Sequence, residues 1–195
     1  MKKAIFIVTI LFVAVISTAC INNMAVQELN NAAKSYMEKG DYTSAIERLE
    51  ASLDLDNNVY ETHYNLGVAY INAKQYPKAI GELNRALSIN SKYANTYYSL
   101  AVAQENNADS LLGCDEVAST NEDGNVVSDV PAAEIYKNAS PDVKEKMIEG
   151  YLTSIANYRK YIEMINSEQK TVEVNAHISD MEKVLVKLGY TGSAY

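Results

Sequence analysis

A spacing of 34 residues between copies of one pattern constrains this chain more than any other feature. The first copy holds Leu29, Ala33, Tyr36, Gly40, Tyr42, Ala45, Leu49 and Ser52, and the second holds His63, Gly67, Tyr70, Lys74, Tyr76, Ala79, Leu83 and Ala86. A third copy begins at the same offset with Tyr97, Leu100, Ala101 and Gln104. A repeat of this length predicts stacked units, because a single unit cannot bury its apolar face alone.

Each repeat is predicted to be a pair of helices. Small residues at Ala33, Gly67 and Ala101 would let the two helices of a pair approach closely. Gly40 is suited to close a helix, and Pro77 is suited to the first turn of one. The predicted helices span 24–38, 43–55, 59–73, 77–89 and 93–107.

The third repeat is interrupted. Between Glu105 and Tyr136 there are eight acidic residues and no basic one, and no helical period is visible. We expect a mobile excursion loop over 110–138, with a small hairpin around Asp123-Gly124 as the alternative. The second-helix pattern resumes at Ser154, Tyr158 and Tyr161.

The resumed helix is expected to begin at Ser140-Pro141 and to end near Asn166, several turns longer than its counterparts. A last amphipathic helix, near 170–188, ends at Gly189 and would shield the final repeat from solvent. Its apolar stripe consists of Val174, Ile178, Met181, Leu185 and Leu188.

The first twenty residues have the features of an export signal. Lys2 and Lys3 precede an uncharged apolar run from Ala4 to Ile16, which is short for a permanent membrane span. The run ends in Ser17-Thr18-Ala19-Cys20, which resembles the lipobox of bacterial lipoproteins, with Ser17 where that family usually has an aliphatic residue. The resemblance implies lipidation of Cys20.

The 34-residue pattern resembles the tetratricopeptide repeat, and its second copy matches best, through Leu66, Gly67, Tyr70, Ala79 and Leu83. The family's first large position, often Trp, holds Leu29, His63 and Tyr97 here. The resemblance implies an all-α, right-handed superhelix of about three helix hairpins plus a C-terminal capping helix. The expected units are a signal peptide (1–19), a tether (20–24), three repeats (25–58, 59–92 and 93–168, the last with its acidic loop at about 110–138) and the capping helix (169–190).

In this family, exposed positions of the first helices line a concave groove that binds peptides. The corresponding residues are Asn30, Lys34, Tyr64, Asn65, Val68, Tyr98 and Val102. The alternative for Tyr64 and Tyr98 is that they pack against neighbouring helices or under the long helix of the third repeat. One sub-class grips a C-terminal carboxylate, but only Asn65 fits its pattern, so that mode of recognition is rejected.

No catalytic or metal-binding constellation is present in the sequence. The acidic loop resembles a calcium loop at Asn121, Asp123 and Gly124, but Ser119 and Val130 occupy positions that need strong ligands. His63 and His177 lack the companions of a zinc site. Cys114 lies among acidic residues, which would dull its reactivity. We therefore expect neither enzymatic activity nor a cofactor.

Charge restricts the partners. Without Lys2 and Lys3, 15 of the 17 basic residues remain against 25 acidic ones, a net charge of −10. Such a surface repels nucleic acid and anionic lipid headgroups. The expected membrane contact is therefore the lipid on Cys20.

The leading hypothesis is a non-enzymatic scaffold or adaptor in the bacterial cell envelope that binds an envelope protein or peptide. Ile21 is not the Asp that commonly retains lipoproteins at the inner membrane, which favours the periplasmic face of the outer membrane. The resemblance implies machinery for outer-membrane assembly, pili or secretion only as a class. The alternative is a surface-exposed module in which the acidic loop contacts a basic partner or a cation; deleting 112–136 would separate the two.

Overall fold

A computed structural model describes residues 22–112, 119–120, 126–127, 136 and 139–192 of the chain. Seven helices lie within these residues. They are α1 (22–38), α2 (Tyr42–Leu55), α3 (Tyr60–Asn72), α4 (Tyr76–Ile89), α5 (Ala94–Ser110), α6 (Pro141–Met164) and α7 (Glu168–Lys187). Consecutive helices from α2 to α7 pack against one another, which gives the stack of hairpins that the repeat predicts.

The ends of α1 and α3 show why the repeat tolerates two residue types at one position. Gly40, which follows α1, has a φ of 76°. Lys74 stands 34 residues later and has a φ of 56°, in a region that side chains with a Cβ rarely adopt. At both ends the following backbone N–H bonds back to a tyrosine carbonyl, from Asp41 to Tyr36 and from Gln75 to Tyr70. These closing hydrogen bonds hold Lys74 in the left-handed conformation.

An N-terminal core joins the first two hairpins. Its fully buried residues are mostly small or aliphatic, and they include Ala33, Ala45, Leu49, Leu66, Ala69, Ala79, Leu83 and Ala103. A methyl group added at Gly67 would lie 2.6 Å from Leu83 Cγ. The predicted close approach of α3 and α4 therefore depends on glycine at this position.

A second, C-terminal core lies between α5, α6 and α7, and its buried side chains are larger. They are mainly Met147, Tyr151, Ile155, Tyr158, Tyr161, Val174, Ile178, Met181 and Leu185. The predicted apolar stripe of the capping helix is thus buried on α6. Arg159 on α6 also forms an ion pair with Glu182 on α7, at 3.0 Å.

Helix α5 ends at Ser110, three residues beyond the predicted end at 107. The reason is tertiary: the early start of α6 gives the last turn of α5 a surface to pack on. Ala108 is buried, a methyl group at Gly150 would lie 2.9 Å from its side chain, and the Tyr151 hydroxyl donates a hydrogen bond to Asp109. The helix start at Pro141 is confirmed, with the Ser140 hydroxyl accepting from the Val143 N–H.

In the region of the predicted excursion loop, the structure describes a short antiparallel strand pair. Ser119–Thr120 (β1) pairs with Val126–Val127 (β2), with Ser119 opposite Val127. The hairpin alternative is therefore found, although its first strand lies two residues beyond Val117. The other residues of the considered calcium loop, Cys114 and the export segment with Cys20 lie outside the described residues.

Candidate functional site

A cavity lies between the first helices of the second and third repeats and the capping helix. It is open to solvent and has a volume of about 760 Å³. Tyr64 and Val68 from α3, Tyr98 from α5 and Tyr158 and Tyr161 from α6 give it an aromatic floor. We call it the tyrosine cavity. Its polar rim contains Asn95, Ser99, Glu105, Asn106, Lys170, Glu173 and His177.

Tyr98 both packs against the long helix α6 and lines the tyrosine cavity. Its ring contacts Tyr158 edge-on, with centroids 5.5 Å apart, and Tyr161 at 5.1 Å. It nevertheless keeps 42% of its surface exposed, on the side of the cavity. Packing fixes the orientation of the ring, and the exposed part is available to a ligand without a large loss of side-chain entropy.

Glu105 contacts two other side chains that line the cavity, Tyr158 and His177. One of its carboxylate oxygens accepts a hydrogen bond from the Tyr158 hydroxyl at 3.1 Å and lies 2.8 Å from Nε2 of His177. The rings of Tyr158 and His177 also meet at right angles, with centroids 5.3 Å apart. Burial, followed by the negative charge of Glu105, raises the pKa of the Tyr158 hydroxyl, so it stays protonated and keeps donating at neutral pH.

Helix α7 contributes to the site as well as capping the fold. It follows the third hairpin as α3 and α5 follow the first and second, and it supplies Lys170, Glu173, Val174 and His177 to the cavity. These residues were not predicted to line the groove, because the acidic interruption breaks the 34-residue offset. The order of the helices could have predicted their position. Helix α7 follows the third hairpin and therefore stands where the first helix of a fourth repeat would stand.

A second cavity of about 420 Å³ lies between α1 and α3, at the N-terminal end of the stack. We call it the amide cavity, since its lining includes Asn23, Gln27, Asn30, Asn31 and Asn65. Its lining also contains one basic residue, Lys34, and two acidic residues, Asp56 and Glu61.

Two of these amides are committed to the fold. The Asn30 side-chain N–H₂ group lies within hydrogen-bond distance of the Ser52 hydroxyl (3.0 Å), the Thr62 hydroxyl (2.8 Å) and the Val26 carbonyl. Its side-chain oxygen accepts from Asn65 at 3.2 Å. Asn30 and Asn65 are both buried. They therefore act first as a polar layer between the first two repeats, which their exposed-face positions in the sequence did not reveal.

The seven predicted groove residues are thus divided. Tyr64, Val68 and Tyr98 line the tyrosine cavity, while Asn30, Lys34 and Asn65 line the amide cavity. Val102 is partly buried and packs against the C-terminal core. The structure does not bring these seven residues together in a single cavity.

The histidines are accounted for by structural contacts. His63 is buried, with Nδ1 2.6 Å from a Glu82 carboxylate oxygen and Nε2 3.0 Å from the Asn57 carbonyl. Within the described part of the chain, no cluster of three or more His, Cys, Asp or Glu side chains is arranged to hold a metal ion. None of the helices described there combines the length and apolar character that crossing a membrane requires.

Comparison with known proteins agrees with this architecture. The tetratricopeptide repeat family model matches residues 36–105, and no curated protein matches the chain. Among solved structures, the first tetratricopeptide domain of Spaghetti (RPAP3), bound to the HSP90 peptide SRMEEVD, is similar with a TM-score of 0.56 and 15% identity, over 84% of this chain and 94% of that one.

The corresponding domain of human RPAP3 is similar with a TM-score of 0.55 and 14% identity, over 86% of this chain and 97% of that one. The Sgt2 domain from Aspergillus fumigatus gives a TM-score of 0.50 at 14% identity, over 84% and 81%. At these identities the likeness shows the fold, which is the predicted all-α solenoid of tetratricopeptide-type hairpins.

Proposed function

We propose that this chain, whose residues 36–105 carry tetratricopeptide repeats, is a non-enzymatic adaptor that binds a segment of another protein in the tyrosine cavity. The observation that carries the proposal is the cavity itself. It is open to solvent and is lined by residues of α3, α5, α6 and α7. The ring of Tyr98 in this cavity is held by packing against Tyr158 and Tyr161. Rigid aromatic side chains of this kind supply contact area at low entropic cost.

The fold supports this use of the cavity. Tetratricopeptide domains of the same architecture are known with bound peptides, as in the complex of Spaghetti with an HSP90 peptide. The described residues of the present cavity form no nucleophile–base pair and no metal cluster, and the acidic chain disfavours nucleic acid. A protein segment is therefore the partner that this surface fits best.

Site-specific photo-crosslinking tests the binding role. A photoreactive amino acid in place of Tyr98, in the full chain in its own membranes, should crosslink to a partner protein. The same amino acid in place of Leu55, which is exposed to a similar degree (41% against 42%), should not. Adding Tyr64→Ala should reduce the crosslink from position 98. Equal crosslinking from both positions, or from neither, would refute a partner site in this cavity.

We also propose that the adaptor is anchored in the bacterial cell envelope by a lipid on Cys20, with the periplasmic face of the outer membrane as its location. Support comes from the order of basic, apolar and small residues before Cys20, and from Ile21 after it. The tyrosine cavity would then act close to the membrane, where its partner would be an envelope protein.

Metabolic labelling with a fatty acid tests the anchor. The wild-type chain and a Cys114→Ala variant should take up the label and remain with the membranes. Cys20→Ala should lose the label, and the protein should no longer fractionate as a lipoprotein. A Cys20→Ala variant that stays labelled would show that the lipid is attached elsewhere.

A further inference from the structure

The amide cavity contains a polar group that the fold leaves without a partner. Asn65 lines this cavity and is only 9% exposed. Its side-chain nitrogen donates to Asn30 at 3.2 Å, but its side-chain oxygen, Oδ1, has no hydrogen-bond partner among the described residues. No fully buried side-chain oxygen or nitrogen in this part of the chain lacks a partner, so Oδ1 must reach open space. The open space that Asn65 lines is the amide cavity.

The orientation of the Asn65 amide follows from its neighbours. The Val26 carbonyl can only accept a hydrogen bond, and it lies 3.0 Å from the side-chain nitrogen of Asn30. The nitrogen of Asn30, and not its oxygen, therefore faces Val26 and the hydroxyls of Ser52 and Thr62. The oxygen of Asn30 then faces Asn65, which has to present its own nitrogen there. Asn65 consequently offers the cavity a fixed acceptor.

The α3 side of the cavity carries further acceptors. Glu61 lies four residues before Asn65, on the same face of α3, and its carboxylate forms no hydrogen bond or ion pair with the described residues. Asp56 lies just before α3 and accepts from the Asn58 N–H at 2.9 Å through one carboxylate oxygen, which leaves the other available. This side of the cavity therefore suits a positively charged group with several N–H donors, and an ammonium group is the smallest such group.

The α1 side has the opposite character. The charged residue that α1 contributes to the lining is Lys34, whose ammonium group has no ion-pair partner within the described residues. Asn31 lies three residues before Lys34, on the same face of α1, and its exposed amide makes no hydrogen bond there either. Both side chains can donate to an anionic group. The two sides of the cavity are thus suited to ligand groups of opposite charge.

We propose that the amide cavity binds a small zwitterion, in which a primary ammonium group and a carboxylate or phosphate group are separated by a few bonds. The ammonium group donates to Oδ1 of Asn65 and to the Glu61 carboxylate, and the anionic group lies against Lys34 and Asn31. The cavity volume of about 420 Å³ is within the range of small-molecule sites. This site requires neither the tyrosine cavity nor the lipid anchor.

The same chemistry has two sources, free α-amino acids and the phosphoethanolamine headgroup of a membrane lipid. The second source rests on the proposed anchor, because helix α1 begins two residues after Cys20. Two extended residues span at most about 7 Å, so a lipid on Cys20 would hold the start of α1 close to the headgroups. Soluble probes of both kinds therefore separate the sources.

NMR titration of the isotope-labelled full chain in a non-ionic detergent tests the ligand class, with the Asn65 side-chain amide as the reporter. The probes are glycine and O-phosphoethanolamine. Each is compared with its two fragments, acetate and methylammonium for glycine, and ethyl phosphate and ethanolamine for O-phosphoethanolamine. At least one zwitterion should bind about tenfold more tightly than either of its fragments, because each fragment leaves one side of the cavity unsatisfied. The fragments are smaller than their parents, so steric exclusion cannot explain weaker binding.

Substitutions on the two sides of the cavity test the assigned roles. Glu61→Gln and Lys34→Gln keep the size of the side chain and remove one charge, so each should weaken binding of the zwitterion about threefold to tenfold. Glu28→Gln is the matched control, since Glu28 is exposed on α1 but does not line the cavity. It should bind as the wild type does. All three positions are exposed, and thermal melts of the variants check that the fold is retained.

The proposal would be overturned if neither zwitterion shifted the Asn65 signal, or if a fragment bound as tightly as its parent. Equal affinity of the Glu61→Gln and Glu28→Gln variants would also overturn it. Binding of glycine alone would assign the site to free amino acids, and preference for O-phosphoethanolamine would assign it to the headgroup. Because Asn65, Glu61 and Lys34 do not line the tyrosine cavity, failure here is distinct from failure of the crosslinking at Tyr98.

Discussion

The N-terminal and C-terminal cores derive from one repeat pattern but are stabilised differently. In the N-terminal core, α3 and α4 approach closely where Gly67 leaves space for Leu83. The side-chain amide of Asn30 is hydrogen-bonded there to the buried hydroxyls of Ser52 and Thr62. In the C-terminal core, buried tyrosines fill the space, and the hydroxyls of Tyr151 and Tyr158 donate to carboxylates. The former depends on close approach of helices and the latter on large side chains with polar ends.

This difference has a functional consequence. At the N-terminal end of the stack, the cavity between α1 and α3 is lined mainly by amides, and the amides of Asn30 and Asn65 are used internally. The third hairpin and α7 present aromatic side chains whose positions are set by the core beneath them. The proposed binding surface therefore lies where the repeat pattern is broken, at the C-terminal end of the stack.

The largest effect is expected from a cavity in the C-terminal core. Ile155 is fully buried, so Ile155→Ala should cost about 2–5 kcal/mol of the free energy of unfolding. Because each hairpin contacts mainly its neighbours, α6 and α7 should lose hydrogen-exchange protection while α2 and α3 keep theirs. Leu83→Ala, also fully buried, is the matched change in the N-terminal core. Uniform loss of protection in both variants would show that the cores unfold as one unit.

A methyl group at Gly67 should destabilise the N-terminal core by about 1–3 kcal/mol, since it would overlap Leu83. Gly81, in α4, has nothing within 4 Å of the corresponding position. Gly81→Ala should therefore stabilise the chain by about 1 kcal/mol through helix propensity. Chemical denaturation of both variants measures the pair. Equal effects would mean that close approach of α3 and α4 is not required.

The polar layer is tested with Asn30→Ala, which leaves the buried Ser52 and Thr62 hydroxyls with only each other, at 3.3 Å. Loss of the amide should cost about 1–3 kcal/mol. Asn31→Ala, on the neighbouring exposed position of the same cavity, should cost less than about 0.5 kcal/mol. Thermal or denaturant unfolding compares the two. A neutral Asn30→Ala variant would contradict a structural role for this layer.

Alkaline pH should affect the C-terminal core through its tyrosines. Burial, aided by a neighbouring carboxylate, raises the pKa of Tyr151 and Tyr158 above the unfolded value of about 10. A raised folded-state pKa gives stabilisation that is complete below about pH 10 and is lost as the pH rises further. Tyr151→Phe with Tyr158→Phe should flatten this loss.

The matched change in the N-terminal core is Tyr70→Phe. Burial and the hydrogen bond to Glu50 raise the pKa of Tyr70 too, but it is a single hydroxyl. Tyr70→Phe should therefore flatten the loss of stability at alkaline pH less than the double substitution does. Denaturation between about pH 9 and 11 measures this loss for both variants. An alkaline profile that is steeper in the double variant than in the wild type would have the wrong sign for this account.

The helices of the regular repeats were predictable because their signals are local. The end of α1 at Gly40, the start of α4 near Pro77 and the start of α6 after Ser140 follow from residues at those places. The end of α5 was not predictable in this way. Its last turn is helical because Ala108 and Asp109 contact α6, which is more than thirty residues away in sequence.

The candidate site divides along the same line. Tyr64, Val68 and Tyr98 could be assigned to a concave face through the resemblance to the tetratricopeptide repeat, because the 34-residue register aligns them with the first-helix positions of that family. The residues that α7 contributes to the cavity could not be assigned in this way, because His177 and Lys170 follow an interruption that removes the register. The commitment of Asn30 and Asn65 was also hidden, since it depends on Ser52 and Thr62 from two other helices.

The sequence by itself determined the repeat, its helices and three residues that line the tyrosine cavity, Tyr64, Val68 and Tyr98, because helical period and helix ends depend on neighbours within a few residues. Only the tertiary structure decided which polar groups are consumed by the fold and which stay free. That division depends on contacts between residues far apart in sequence, such as Asn30 with Ser52, 22 residues apart, and Glu105 with His177, 72 residues apart. The tyrosine cavity is the space that stays open to solvent after those contacts have formed.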